Sequence, residues 1–219
     1  MSSREDILGR VRVGLNRSAT NAAAGRAEMA AALSNRSHGP KPAIDSNPQA
    51  LLARFRIKSE QQSSTVDIVA QDSDVPVAVE RYLTAMKLPK AAVAWPSLAP
   101  LDWVGAGLKV EGRGARDADL VGITGCFCAV AETGTLMLCS SPDTPAAVSL
   151  LPETHIAIVS ASRILAYMED AWTLARKELG VLPRAVNFIS GPSRTGDIEQ
   201  TIVLGAHGPY RVHLVIVES

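Results

Sequence analysis

The sequence predicts an α/β fold with a mainly parallel sheet covered by helices, and three observations lead to this prediction. Hydrophobic residues make up 47% of the 219 residues but aromatic residues only 4%, which favours an aliphatic α/β core over an all-β sandwich. From residue 65 onward, short apolar segments alternate with segments of helical periodicity. Several short segments are apolar at consecutive positions, which is typical of strands buried on both faces.

The first 60 residues are predicted to form a helical arm with a linker, ahead of an α/β domain over residues 61–219. Residues 2–15, SSREDILGRVRVGL, begin with serine caps and early acids. Their apolar side chains recur one turn apart, which predicts an amphipathic helix: Ile7, Val11 and Leu15.

The rest of the arm combines a linker with a second helix start. Residues 34–48 are rich in Ser, Asn, Gly and Pro, which predicts a mobile linker. Asn47 followed by Pro48 is typical of a helix N-terminus. The apolar edge of the helix that follows is expected at Leu51, Leu52 and Phe55.

Eight strands and one clear helix are predicted in the α/β domain. The helix covers residues 162–180, with Ser162 as N-cap, Gly180 just past the end and an apolar stripe between them. The strands are TVDIVA (65–70), AAVAW (91–95), GLKVEG (107–112), LVGITG (120–125), TLMLCS (135–140), HIAIVS (155–160), AVNFIS (185–190) and RVHLVIVE (211–218).

Charge and cysteine usage exclude several classes of function. The formal net charge is zero, which does not favour nucleic-acid binding, and no run of about eighteen apolar residues suggests a membrane span. No apolar leader is present at the N-terminus, so we expect a cytoplasmic protein. The three cysteines are Cys126, Cys128 and Cys139, and they contain no CxxC pair. Iron–sulfur clusters and structural zinc sites usually need four ligands, so we expect no metal site in this chain.

The segment GPSRTGDIEQTIVLGAHGP, residues 191–209, is the first candidate site. It follows a predicted strand, and DIEQTIVL (197–204) is expected to form a short helix, so the loop would offer backbone amides at a helix N-terminus. In open α/β sheets such loops lie at the carboxyl edge. We therefore predict that the loop binds a small anion there, with these candidate residues: Gly191, Ser193, Arg194, Thr195, Asp197, Glu199 and His207.

The segment AVAETGTLML, residues 129–138, is the second candidate site. Glu132 interrupts an apolar run, and a carboxylate in such surroundings is costly unless it is hydrogen-bonded or serves a function. The turn that follows can offer amides and hydroxyls to an anion: Thr133, Gly134 and Thr135. No dinucleotide, P-loop or hydrolase-elbow fingerprint occurs in the chain.

Together these motifs resemble the lactate-utilisation LUD-domain family, in its LutC (YkgG-like) branch, over about residues 65–218. The resemblance is carried by GITG, AVAETGTLML, LPETHIAIV and the 191–209 segment. It implies the fold of the glucosamine-phosphate deaminase, ribose-phosphate isomerase and CoA-transferase group (NagB/RpiA/CoA-transferase-like). It also implies a non-cluster subunit of a system that oxidises L-lactate to pyruvate, with iron–sulfur clusters in partner proteins.

Two other functions are compatible with the sequence. A stand-alone enzyme like the CoA transferases or formyltetrahydrofolate cyclo-ligases would use Glu132 as nucleophile or base. An interaction module would use the arm, which carries ten Lys or Arg against five Asp or Glu in residues 1–60, to hold an acidic partner.

Overall fold

The computed structural model describes residues 3–16, 21–35, 39–195 and 203–218. The chain divides into two compact units, residues 1–43 and residues 44–219. Within the described ranges, no helix is both long enough and apolar enough to cross a membrane.

The first unit contains two helices, α1 (Ser3–Gly14) and α2 (Ala22–Asn35). Helix α1 confirms that the N-terminal residues form a helix, but none of its residues is buried, so the structure does not show the apolar face packed. Helix α2 was not predicted. Eight of its fourteen residues are Ala or Leu, which are strong helix formers; its sequence is AAAGRAEMAAALSN.

Helix α3 (Pro48–Gln61) begins as predicted, because the side chain of Asn47 accepts a hydrogen bond from the backbone N–H of Gln49. The compact unit of the sheet already starts at Ile44, so α3 belongs to that unit rather than to the arm in which the sequence placed it. The reason is packing: the Phe55 side chain is fully buried in the largest apolar cluster.

In the described ranges all eight predicted strands are present, together with four that the sequence did not predict. In chain order the strands are β1 (Thr65–Val69), β2 (Ala91–Ala94), β3 (Lys109–Gly112), β4 (Val121–Thr124), β5 (Cys128–Val130), β6 (Thr135–Cys139), β7 (Thr154–Ser160), β8 (Ile164–Leu165), β9 (Val186–Ile189), β10 (Arg194–Thr195), β11 (Val203–Leu204) and β12 (Arg211–Val217).

Six of these strands form a wholly parallel sheet in the order β1-β12-β7-β4-β2-β3. This confirms the predicted α/β class with a mainly parallel sheet. Strands β6 and β9, however, pair antiparallel in a second sheet of order β8-β5-β6-β9. Strands β10 and β11 form a separate antiparallel pair.

Three further helices complete the layers: α4 (Val75–Ala85), α5 (Ala147–Leu150) and α6 (Met168–Leu179). One face of the parallel sheet packs on α4. The other face packs on α3 and the second sheet, and α6 covers the far side of that second sheet. The parallel strands are therefore buried on both faces, as their continuous apolar sequence indicates.

The predicted helix over 162–180 begins later than expected. Ile164 and Leu165 pair with Ala129 and Val130 of β5, so they form strand β8 instead of the first helical turn. The helix starts at Met168, and its end before Gly180, whose φ is +66°, agrees with the prediction.

Candidate functional site

The loop after β9 lies at the amino edge of the parallel sheet, not at the carboxyl edge as predicted. The backbone N–H of Ser193 donates to the carbonyl of Pro209 at 2.9 Å, and Pro209 comes two residues before the start of β12. The prediction failed because β9 belongs to the antiparallel second sheet. The residues that follow β9 therefore meet the parallel sheet where β12 enters it.

The backbone around Arg194 is extended. Arg194 and Thr195 pair with Leu204 and Val203 as β10 and β11, so the loop does not run directly into a helix, and the last two residues of the predicted helix are strand. The remainder of that helix lies outside the described residues, as do the candidates Asp197 and Glu199.

The two candidate segments of the sequence meet in the structure. The hydroxyl of Thr135 lies 2.7 Å from the Thr133 hydroxyl and 2.7 Å from the hydroxyl of Ser190. Thr135 is buried, and Ser190 directly precedes Gly191. This chain of three hydroxyls joins the turn after β5 to the loop after β9.

Both turns are held against the C-terminal end of α3. Gly134 has φ +69°, and a Cβ atom there would lie 2.6 Å from the carbonyl carbon of Lys58. Gly191 has φ +74°, and its Cβ would lie 2.2 Å from the carbonyl oxygen of Gln62. Because they lack a Cβ atom, these two glycines let the backbone pack closely against α3. Close packing therefore explains a glycine at position 134 without any ligand.

Arg194 lines a pocket of about 350 Å³ at the amino ends of β1 and β12, and Arg211 lines it from the other side. The Arg194 guanidinium donates to the Ser63 hydroxyl, and Arg211 donates to the Thr154 hydroxyl at 3.1 Å. Among the described residues, no acidic side chain lines this pocket: Ser63, Thr65, Tyr82, Met86, Pro192, Arg194, Tyr210, Arg211 and Val212.

Arg211 is a pocket residue that the sequence motifs did not predict. Its signal was a basic residue at the first position of a buried strand, directly after the His-Gly-Pro segment. The guanidinium lies over the Tyr210 ring, 4.6 Å from its centroid, which restrains its orientation.

A second pocket of about 440 Å³ shares Arg194 and Pro192 with the first. The candidates Gly191, Ser193 and His207 line this second pocket. The exposed His207 contacts Ser193 through its backbone N–H, 3.4 Å from the hydroxyl oxygen. Arg194 therefore stands between two openings, and the described part of the chain contributes only neutral and basic side chains to both linings.

Of the predicted candidates that the structure describes, five line neither opening: Glu132, Thr133, Gly134, Thr135 and Thr195. Thr195 is half-buried in β10. Glu132 is half-buried, and its backbone N–H donates to the carbonyl of Ala166 at 3.1 Å. Within the described ranges, the Glu132 carboxylate makes no hydrogen bond or ion pair, so the pairing predicted for it is not found there.

Two buried histidines lie on neighbouring strands of the parallel sheet. His155 is hydrogen-bonded through Nε2 to the Thr124 hydroxyl at 2.8 Å, and His213 stacks on the Tyr82 ring with centroids 3.9 Å apart. Burial lowers the pKa of each imidazole to about 4, so both are neutral at neutral pH. No group of three or more His, Cys, Asp or Glu within the described ranges is placed to hold a metal ion.

Comparison with known proteins gives a family match over most of the chain. The family model described as "LUD domain" matches residues 53–217. The lactate utilization protein C of Exiguobacterium sp. is 34% identical over 156 residues, which is 68% of this chain and 68% of that protein. The lactate utilization protein C of Bacillus subtilis is 39% identical over 130 residues, 57% of this chain and 54% of that protein.

The lactate utilization protein C of Bacillus licheniformis is 40% identical over 102 residues, which cover 45% of this chain and 42% of that protein. The alignments thus span about half the length of the first curated relatives. A DUF162 family crystal structure from Deinococcus radiodurans superposes with a TM-score of 0.58 at 22% identity, covering 79% of this chain and 99% of that one. This likeness shows that the fold is shared.

Proposed function

This chain belongs to the LUD domain family, in the branch of the proteins named lactate utilization protein C, and on that premise we propose that it takes part in lactate utilisation. Its role is that of a non-cluster subunit in an iron–sulfur system that oxidises L-lactate to pyruvate. The chain binds a small anion, and the arginine-lined pocket at the amino edge of the sheet is the binding site.

The observation that carries the proposal is that Arg194 and Arg211 line the same pocket. Their positions are seventeen residues apart in sequence, and the turn at Pro209 brings both to the ends of β1 and β12. A guanidinium presents a planar set of donors that matches a carboxylate, so two of them favour a carboxylate anion over a neutral molecule.

Neutral donors beside the arginines suit a hydroxy acid. Ser63 and Thr65 also line this pocket; the Ser63 hydroxyl accepts from Arg194, and the Thr65 hydroxyl lies 2.9 Å from Nδ1 of His213. Lactate carries a hydroxyl group next to its carboxylate, so hydroxyls near a guanidinium pair satisfy both of its polar groups. Within the described part of the chain, the pocket offers groups that bind and orient an anion, and electron transfer is assigned to the partners.

The state of the cysteines supports placing the cluster in a partner. Burial raises the pKa of Cys126 and Cys128 to about 12, so both are protonated thiols at neutral pH. Iron–sulfur clusters are held by thiolates, usually four of them. The three cysteines of this chain do not fit that requirement.

Growth tests the role in lactate use. Deletion of the gene should abolish growth on L-lactate and spare growth on pyruvate, because only the oxidation step would be lost. Wild-type growth of the deletion strain on L-lactate, in a genome without a second copy, would contradict the role. Co-purification of iron–sulfur proteins with the tagged chain would test the partner assignment separately.

Ligand titration tests the pocket. We expect Arg194→Gln and Arg211→Gln to weaken binding of L-lactate and pyruvate about ten- to a hundredfold, since a charge-assisted hydrogen bond contributes roughly 1.5–3 kcal/mol. Arg184→Gln is the matched control, because Arg184 is exposed and lines neither pocket. Unchanged affinity in both pocket variants would contradict the assignment of this pocket as the binding site. It would not affect the role in lactate use, which the growth experiment tests separately.

A further inference from the structure

The connections of the parallel sheet reverse direction between two neighbouring strands. From β2 the chain continues outward to β3, the edge strand of the sheet. From β4, the neighbour of β2 on the other side, the chain continues the opposite way to β7. The two connections therefore diverge and leave a crevice outside the carboxyl ends of β2 and β4, where open α/β sheets commonly bind ligands.

A pocket of about 350 Å³ lies at this crevice. Trp95 directly follows β2, and Cys126 and Phe127 follow β4 after one glycine. The opposite wall comes from the end of β6 and from the segment after α6. The full lining is Trp95, Cys126, Phe127, Cys139, Ser140, Ser141, Thr144, Leu179, Val181 and Pro183. The volume falls in the usual range for small-molecule sites.

Among the residues that the structure describes, none with a charged side chain lines this pocket, which separates it from the arginine pocket at the other edge of the sheet. Burial raises the pKa of the Cys126 thiol and of the Cys139 thiol, which favours the neutral, protonated form of both. An ion entering the pocket would lose hydration without a countercharge, so a neutral occupant is favoured.

The walls suit a flat ring. The Trp95 ring packs on Gly125: its Cζ3 atom lies 3.5 Å from the position that a Cβ atom would take on that glycine. The indole N–H of Trp95 donates to the Pro145 carbonyl at 3.1 Å. The indole therefore offers its apolar surface rather than its donor. Two cysteine sulfurs add polarizable contacts, which favour aromatic partners.

The pocket also has a hydroxyl donor that the protein does not use. The Thr144 hydroxyl donates its single proton to the Cys139 carbonyl at 2.8 Å, so the Ser141 hydroxyl, 2.9 Å away, donates to the Thr144 oxygen. The Ser140 hydroxyl oxygen accepts from the backbone N–H of Ala185 at 2.9 Å, and within the described ranges Ser140 donates its own proton to no protein group. The Ser140 proton is therefore available to a ligand oxygen or nitrogen.

We propose that this pocket is a second binding site, for an uncharged, flat aromatic molecule with a hydrogen-bond acceptor such as a carbonyl or carboxamide. The ring lies against Trp95 between the two thiols, and its acceptor takes the proton of Ser140. The chain thus has an anion pocket at the amino edge and a neutral-ring pocket at the carboxyl edge of one sheet.

The test uses benzamide as the probe and the full chain as the protein. Benzamide at millimolar concentration should shift the indole N–H resonance of Trp95 in a saturable way. Trp103 and Trp172 serve as internal references, because neither lines the pocket. Benzoate, which has the same ring and a negative charge, should bind at least about tenfold more weakly.

Variants at the rim connect the signal to this pocket. Ser140→Ala should weaken benzamide binding about five- to tenfold through loss of one hydrogen bond, and Ser141→Phe should abolish binding by narrowing the opening. Ser140 is half-buried and Ser141 is exposed, so the fold is expected to tolerate both changes. Ser160→Ala, outside the lining, is the control. A Trp95 signal that fails to move, equal binding of benzoate, or unchanged affinity in both serine variants would each overturn the proposal.

Discussion

Gly134 shows how a single residue fixes the position of a motif. The structure requires a left-handed backbone there and leaves no room for a Cβ beside Lys58 and Ser59 of α3. Its neighbour Thr135 links the same turn to Ser190 through a hydroxyl pair. The Thr-Gly-Thr turn is therefore a packing junction between α3, β6 and the loop that contains Arg194.

We expect Gly134→Ala to lower the free energy of unfolding by about 2–5 kcal/mol, the sum of left-handed strain and a backbone clash. Gly107→Ala is the matched control: its φ of +75° is similar, but nothing lies within 4 Å of the added Cβ, so only about 1–2 kcal/mol of strain is expected. Urea denaturation of both variants measures the difference. Equal losses would show that the contact with α3 does not limit this position.

The two buried histidines predict how stability depends on pH. Their folded pKa values of about 4 lie below the value of 6.5 for an exposed imidazole, so the unfolded chain binds more protons. Their contribution to stability is complete above pH 6.5 and is lost as the pH falls toward 4. The expected slope is about 1.4 kcal/mol per pH unit for each histidine.

Urea melts between pH 6.5 and 5 measure this slope above the range in which carboxylates titrate. His213→Phe keeps a ring on Tyr82 and removes the titrating group, so the slope should fall by about half, to the share of His155. An unchanged slope in the variant would show that His213 does not titrate in this way.

At the scale of the element, α3 is the helix on which both candidate turns are built. Phe55 is fully buried against the parallel sheet and the second sheet, whereas Ile57 on the same helix is 53% exposed. We expect Phe55→Ala to cost about 3–5 kcal/mol of unfolding free energy, and Ile57→Ala to cost less than about 1 kcal/mol.

Thermal and urea denaturation of these two variants tests the role of α3. Phe55→Ala should also weaken anion binding, since the residues that follow α3 carry Ser63, the hydrogen-bond partner of Arg194. A stable Phe55→Ala protein would contradict the view that α3 is part of the core.

At the scale of the whole molecule, the boundary of the α/β unit decides which fragments fold. Residues 44–219 contain the three apolar clusters together with α3, so a protein lacking residues 1–43 should melt within a few degrees of the full chain. A protein lacking residues 1–60 loses Leu51 and Phe55 from the core and should melt much earlier or fail to fold.

Calorimetry and circular dichroism of the two truncated proteins measure these outcomes. Equal stability of the two would support the predicted boundary at residue 60 instead. The shorter truncation also tests the interaction-module function: if the basic arm holds an acidic partner, removal of residues 1–43 should abolish co-purification while the α/β unit stays folded.

The sequence by itself determined the local structure. All eight predicted strands and the helix start at Asn47 are found, because the period of apolar residues and the capping side chains act within a few residues. The family was determined in the same way, since its motifs are contiguous stretches of residues. The start of α6 and the end of the helix predicted over 197–204 are exceptions. Pairing of Ile164 and Leu165 with β5, and of Val203 and Leu204 with β10, overrides their helical spacing.

Only the tertiary structure decided what those elements do together. The choice of sheet for β9, and with it the edge at which Arg194 lies, depends on pairing with β6, about fifty residues earlier. Arg194 donates to the hydroxyl of Ser63, which lies 131 residues earlier in the sequence, and it lines the same pocket as Arg211 of the last strand. Such contacts follow from which apolar faces pack together, and no local pattern carries that information.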